Sequence, residues 1–200
     1  MRRFASLLSL SLLGLAAFAP AASAQRSAEG VRSFLGTRDD QVKAVLGSRT
    51  TFTPQQRTQL QTLINGAIDF SAMGQTALGA TWATLTPAQR TQFTTTFSEI
   101  VRNQSLADLT IYRASVRYGD VSLSGNTALA RTTTTVRGTS ARVDYSLAWG
   151  GVAWRITDIT IDGVSTAGSY QRQFGQVVRQ RGFDGLMTAL NRRLAAQRRG

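Results

Sequence analysis

The side chains that could do chemistry are few for a chain of 200 residues. The sequence contains no His and no Cys, and 23 Lys and Arg stand against 11 Asp and Glu. Imidazole is the usual general base near neutral pH, the usual partner of a nucleophilic serine and the commonest metal ligand, so its absence removes the hydrolase triads. Without thiols there is no thiolate nucleophile, disulfide or sulfur metal site. The run Gly163-Val164-Ser165-Thr166-Ala167-Gly168 approaches a nucleophile elbow, but its spacing is one residue too long and no His can serve it. It reads as a strand-to-helix turn.

The carboxylates do not assemble into a site either. Asp39 and Asp40 are adjacent, and Asp158 and Asp162 are four apart on an expected strand, so neither pair is aimed at a shared metal or a glycosidic bond. Asp69 and Asp184 stand where helix caps are needed. No Gly-rich run precedes a helix with the Lys or acidic partner that phosphate or dinucleotide binding requires. The sequence therefore argues against an enzyme, and it calls for no cofactor and no metal.

Residues 1–24 explain where the chain works. Arg2 and Arg3 precede an apolar run from Phe4 to Phe18, then Pro20 and the small residues Ala22-Ser23-Ala24. That order is a cleavable secretory signal, and its apolar run is shorter than the ~20 residues a membrane-spanning helix needs. The mature chain is expected to begin at Gln25, which N-terminal sequencing of protein from cells would test. Residues 25–200 are the size of one domain, large enough to bury about 70% of its unfolded surface without staples.

The formal charge of +12 comes almost wholly from Arg, Lys43 being the only lysine. Six arginines, Arg179, Arg181, Arg192, Arg193, Arg198 and Arg199, crowd the C-terminal end. An export signal moves the expected partner from nucleic acid to anionic lipid headgroups and acidic protein faces.

The elements that must hold any site read as α+β, with a helical first half, a strand-rich middle and a helical end. Val31, Phe34, Leu35, Val42, Val45 and Leu46 recur at helical spacing, with an interruption expected near Gly36. Thr53-Pro54-Gln55-Gln56 and Thr86-Pro87-Ala88-Gln89 each place Thr at the N-cap, Pro at the first helical position and Gln three residues after the cap. The second of these starts a stripe running through Phe93, Phe97, Ile100, Val101, Leu106 and Leu109. Asp69 should cap a short helix that stops at Gly79.

From Ser115 to Asp162, β-branched alternation broken by Gly125-Asn126, Gly138 and Gly150-Gly151 predicts a four-stranded antiparallel meander. In its last strand Trp154 and Ile156 have one parity and Ile159 and Ile161 the other. Either a bulge near Thr157-Asp158 re-aims the chain or both sheet faces are covered. The closing segment predicts a helix through Tyr170, Phe174, Val177 and Val178, a stop at Gly182, and a last helix capped by Asp184. The expected whole is a four-stranded antiparallel sheet wrapped by N- and C-terminal helices.

Two blocks add a resemblance. The first is Asp69-Phe70-Ser71-Ala72-Met73, Leu78-Gly79, Trp82, Leu85-Thr86-Pro87-Ala88-Gln89-Arg90, Phe93 and Phe97. The second is Val143-Asp144-Tyr145-Ser146-Leu147, Trp154-Arg155-Ile156-Thr157-Asp158-Ile159, Gly163-Val164-Ser165, Tyr170, Gln173-Phe174 and Gly182-Phe183-Asp184-Gly185-Leu186. In order and spacing, over roughly residues 65 to 192, the chain resembles the MlaC or toluene-tolerance family. The resemblance implies a monomeric periplasmic carrier that shuttles phospholipid between an outer-membrane lipoprotein complex and an inner-membrane ABC transporter and so maintains outer-membrane lipid asymmetry.

Phospholipid would then be cargo in an apolar cavity between sheet and helices. The residues expected to touch its tails are Phe97, Val101, Leu106, Leu109, Tyr112, Val116, Leu147, Trp149, Trp154, Ile156, Val164, Tyr170, Phe174 and Val177. Two alternatives stand beside this reading. One is a hopanoid or other apolar lipid in the same kind of pocket, and the other is an envelope protein with a solid interior whose Arg-rich end binds acidic partners.

Overall fold

A computed structural model describes residues 25–136 and 138–199. The expected signal, residues 1–24, lies outside the described residues. Helix α1 (Ala28–Leu46) starts at Ser27, whose hydroxyl accepts the Gly30 N–H, and it buries Val31, Leu35, Val42 and Leu46 along one stripe. The interruption expected at Gly36 does not occur. A mid-helix Gly costs about 1 kcal/mol, and the burial of that stripe on both sides of Gly36 outweighs it.

Helices α2 (Pro54–Asn65) and α5 (Pro87–Ser105) open with complete capping boxes at Thr53 and Thr86. Between them lie α3 (Phe70–Leu78), capped by Asp69 and ended by Gly79, and the single turn α4 (Thr81–Thr84). The apolar stripe of α5 does not carry Leu106 and Leu109 on the same helix. The helix ends at Ser105, whose hydroxyl donates to the Arg102 carbonyl, and Asp108 caps a separate 3-10 turn, Leu109–Arg113.

The sheet is an antiparallel meander of five strands in sequence order: β1 (Ser115–Ser124), β2 (Thr127–Val136), β3 (Thr139–Trp149), β4 (Trp154–Ile161) and β5 (Val164–Ser165). The fifth, beyond the four expected, exists because Asp162 and Gly163 both take positive φ, 48° and 84°. Two such residues make a tight hairpin, and two residues pair back on β4 before Ser165 caps the next helix. The strand-to-helix turn expected here is thus a hairpin as well.

The parity switch in β4 is a bulge. Ser146 pairs with Asp158 and Leu147 with Ile156, which leaves Thr157 as the extra residue. Trp154, Ile156, Ile159 and Ile161 therefore all pair with inward positions of β3. A second bulge at Gly119-Asp120 does the same for Tyr118 and Val121 on β1. On the opposite face Arg117, Arg131, Thr133 and Arg142 are exposed, so the helices cover one side of the sheet only.

Helix α6 (Thr166–Gln197) bends at Gly182, where φ is 68° and ψ −178°, and helix continues directly on both sides. Asp184 therefore lies within the first turn of the resumed helix, its carbonyl accepting the Thr188 hydroxyl. Both halves pack on α3 and α5 through a core in which the Phe93 and Phe97 rings stack at 5.4 Å and Phe174 meets both edge-on. A Cβ on Gly74 would stand 3.1 Å from the Phe93 ring, so this close approach of α3 depends on glycine. A second core joins α1 to the sheet through Val31, Leu35, Ala128, Ala130, Leu147 and Trp154.

Candidate ligand cavity

The two cores do not close on each other completely. Between α1, α2, α5 and the inner face of the sheet lies a cavity of about 410 Å³, inside the range of small-molecule sites. Leu35 and Val42 reach it from α1, Leu63 and Ile64 from α2, Met73 from α3 and Val101 from α5, while Val116, Ile159 and Ile161 face it from the strands. All four tyrosines of the chain, Tyr112, Tyr118, Tyr145 and Tyr170, are in its wall.

Tyrosine suits such a wall, because the ring supplies apolar area while the hydroxyl finds a partner at the edge. Tyr112 donates to the Ser105 carbonyl at 3.0 Å, and Tyr170 donates to Gln104 Oε1 at 2.5 Å. Burial pushes the Tyr112 hydroxyl up to about 12, with Tyr145 adding to the shift. Burial likewise raises Tyr118 and Tyr145, with Asp39 as the next cause in both. It also raises Tyr170, against the opposing effect of Arg193 and the Gln104 hydrogen bond. All four are neutral at ordinary pH.

Two charged side chains reach the wall and both are engaged. Asp39 pairs with Lys43 at 2.7 Å, and Arg38 donates to the Leu63 carbonyl at 3.3 Å while lying over the Phe34 ring. The cavity is therefore an apolar chamber with no free charge aimed into it. A second pocket, a vestibule of about 470 Å³, adjoins it, sharing Gln104, Ile161, Thr166 and Tyr170 in a common wall and adding Val164, Ser165, Ser169, Gln173 and Arg193.

Of the residues expected to touch cargo, Val101, Tyr112, Val116 and Tyr170 line the chamber, and Val164 lines the vestibule. Phe97 and Phe174 interlock in the helical core with Val177 packed against them, and Leu147 and Ile156 are buried under α1. Trp149 and Trp154 meet edge to face and line an open groove outside α1, where the Trp154 indole donates to the Gln25 carbonyl at 2.8 Å. Leu106 and Leu109 pack with Leu46 and Leu60 beneath the ends of α1 and α2.

The α1 and α2 side chains in the wall were missed by the sequence reading, as were Tyr118, Tyr145 and Ile159. The α1 stripe carried the signal, since Leu35 and Val42 are two helical turns apart on one face.

The remaining polar groups do structural work. Asp158 accepts the Ser165 hydroxyl at 2.5 Å and the Ala167 N–H at 2.9 Å, which fixes the start of α6, and Asp162 accepts the Arg142 N–H at 2.8 Å. Among the described residues no three His, Cys, Asp or Glu side chains come close enough to hold a metal ion.

Comparison with known families decides the relationship: the MlaC protein family matches residues 38–192. The chain belongs to the MlaC family. The match begins well before the first resembling block and takes in every chamber-lining residue except Leu35. No curated protein sequence matches the chain. Among solved structures, the MlaC-family fold seen here is similar to that of a phospholipid-binding protein from Ralstonia solanacearum in complex with a phospholipid. The TM-score is 0.71 and the identity 24%, over 82% of this chain and 97% of that one.

Proposed function

We propose that this MlaC-family protein is a periplasmic, non-catalytic carrier that holds a phospholipid by its acyl chains and hands it between an outer-membrane lipoprotein complex and an inner-membrane ABC transporter. The observation that carries the reading is the tyrosine-walled apolar chamber between sheet and helices. The phospholipid held by the Ralstonia solanacearum protein of the same fold supports the choice of cargo.

The energetics suit that task. Two acyl chains bring about 30 methylenes, and at ~0.8 kcal/mol each their exposure to water costs on the order of 25 kcal/mol. Free crossing of an aqueous gap is negligible, so a carrier must supply a dry wall throughout. A headgroup stays at the mouth, where its charge keeps contact with water. A carrier that binds about as well as a membrane imposes no direction, and direction must come from ATP hydrolysis in a partner.

Organic extraction of the purified protein followed by mass spectrometry tests this. One phospholipid per chain is the expected result. A hopanoid in its place would move the protein to the other cargo class, and an extract without stoichiometric lipid would end the carrier reading.

A further inference from the structure

The four tyrosines of the chamber wall fall into two pairs. Tyr112 donates to the Ser105 carbonyl and Tyr170 to Gln104 Oε1, so their hydroxyls are used within the protein. Tyr118 on β1 and Tyr145 on β3 pair with Thr132 and Ala130, both buried on the inner face, and their rings stand in the same wall. Neither of these two hydroxyls has a hydrogen-bond partner among the described residues. They are not sealed in packed protein either, since the orphaned side-chain atoms buried among the described residues are Asn65 Nδ2 and Asp144 Oδ1.

Asp39 completes the group. Its Oδ2 pairs with Lys43 at 2.7 Å, its Oδ1 has no hydrogen-bond partner among the described residues, and its charge is felt at both Tyr118 and Tyr145. On α1 it lies between Leu35 and Val42, and all three are in the chamber wall. On β3, Tyr145 is the inward residue next to Leu147, which is buried in the core beneath α1. The polar spot thus has aliphatic wall around it.

A plain hydrocarbon chain cannot satisfy such a spot. Water in the chamber accepts from both phenols, and hydrocarbon that displaces the water strands both donors at a cost greater than a made bond returns. A site whose polar groups are left unpaired by the wrong ligand discriminates strongly against it. Two phenol donors beside a carboxylate oxygen match an alcohol, which accepts from a phenol and donates to the carboxylate, whereas an ester or ketone oxygen only accepts.

We infer that Tyr118, Tyr145 and Asp39 form a hydroxyl site inside the chamber, and that the cargo is a lipid with an alcohol on the part seated there, an acyl chain hydroxylated along its length. The inference rests on the carrier reading and adds to it a chemical class of tail.

The test equilibrates delipidated protein with vesicles of phosphatidylethanolamines that share one headgroup. They are the distearoyl lipid, its ether-linked dioctadecyl analogue, and a series in which a hydroxyl is moved along one stearoyl chain. Bound lipids are quantified by mass spectrometry as ratios within each sample, so loss of folded protein cancels. Wild type is expected to enrich at least one hydroxylated lipid about tenfold over the distearoyl lipid. Tyr118→Phe and Tyr145→Phe should each lower that ratio about fivefold, and Tyr112→Phe, whose hydroxyl is spent on Ser105, should lower it less.

No enrichment of any hydroxylated lipid by wild type would overturn the site, as would an unchanged ratio in Tyr118→Phe and Tyr145→Phe. Equal falls in all three variants would assign the effect to general polarity of the wall and overturn it too. A preference for ester over ether lipid in place of any hydroxyl preference would give the phenols to the glycerol ester carbonyls and overturn the alcohol. If wild type takes up none of these lipids, the carrier reading itself fails, and the site with it.

Discussion

The Tyr170 hydroxyl donates to Gln104 Oε1 at 2.5 Å and so ties α6 to α5 in the wall that the chamber and the vestibule share. The Tyr170 ring is held separately, edge-on to Phe97 at 5.1 Å and tilted against Phe174 at 5.3 Å. Latch and packing can therefore be separated by one atom. Tyr170→Phe should raise the rate of lipid transfer from vesicles several-fold while costing about 1 kcal/mol or less in stability. Fluorescent-lipid transfer and urea unfolding measure the two, and an unchanged rate would mean that cargo does not pass between α5 and α6 at this latch.

Val101 lines the chamber and borders the helical core. Val101→Phe should fill cavity volume at little cost to folding, since added bulk enters empty space and not a packed region. Lipid recovered with the purified variant is expected to fall at least about tenfold, with an unchanged or higher thermal midpoint. Full lipid occupancy in a folded variant would place the cargo elsewhere.

Leu147 is 1% exposed beneath α1 and does not touch the chamber. Leu147→Ala should cost about 2–5 kcal/mol in the lipid-free protein, the range for a buried leucine that leaves a cavity. Val116→Ala, at a wall already facing empty space, should cost clearly less. Denaturant unfolding of both variants checks the order, and equal costs would show that Val116 sits in close-packed surroundings.

Thr157 is the extra residue that lets Trp154 and Ile156 share a face with Ile159 and Ile161. Its deletion restores strict alternation and turns one pair outward, because a one-residue slip moves a strand's side chains to the other face. The variant should lose the near-ultraviolet circular dichroism of a packed core. A native spectrum would show that the sheet can relocate its bulge.

Alkaline stability tests the tyrosine wall. The unfolded Tyr112 hydroxyl titrates near 10 and the folded one at about 12, so the folded chain keeps the proton longer. Its contribution to stability is complete below pH 10 and is lost as pH rises towards 12, at up to about 1.4 kcal/mol per pH unit for each such group. Tyr118, Tyr145 and Tyr170 are raised in the same direction and steepen the decline. Tyr112→Phe should make the slope of unfolding free energy against pH shallower by about one proton between pH 10 and 12. An identical slope would mean that the hydroxyl is wet.

Local rules made much of this fold readable before any coordinates. The two Thr-Pro-x-Gln starts, the Asp69 cap, the Gly79 stop and the bulge in β4 follow from caps and parity, each written within a few residues. The fifth strand was legible too, in Asp162-Gly163, but the following helix start masked it. The end of α5 was less so, since Leu106 and Leu109 continue its apolar spacing while Ser105 and Asp108 end the helix and cap the next turn.

The chamber is a different kind of object. Whether Phe97 or Tyr145 faces empty space depends on how two layers meet, and apolar pattern alone cannot distinguish a residue that fills a core from one that borders a void. Large aromatic side chains pointed to the filled parts, where Phe93, Phe97 and Phe174 interlock. The wall is drawn instead from medium-sized aliphatics and from tyrosines, of which Tyr112 and Tyr170 find partners at its margin.

The division of aromatic types gives the protein a built-in optical channel. Every tyrosine borders the chamber, while Trp82, Trp149 and Trp154 lie outside its wall. Filling the chamber with hydrocarbon changes the surroundings of four phenols and leaves three indoles in place. Loading would therefore be written in the tyrosine absorbance near the blue edge of the protein spectrum, with tryptophan emission serving as an internal reference that reports unfolding alone.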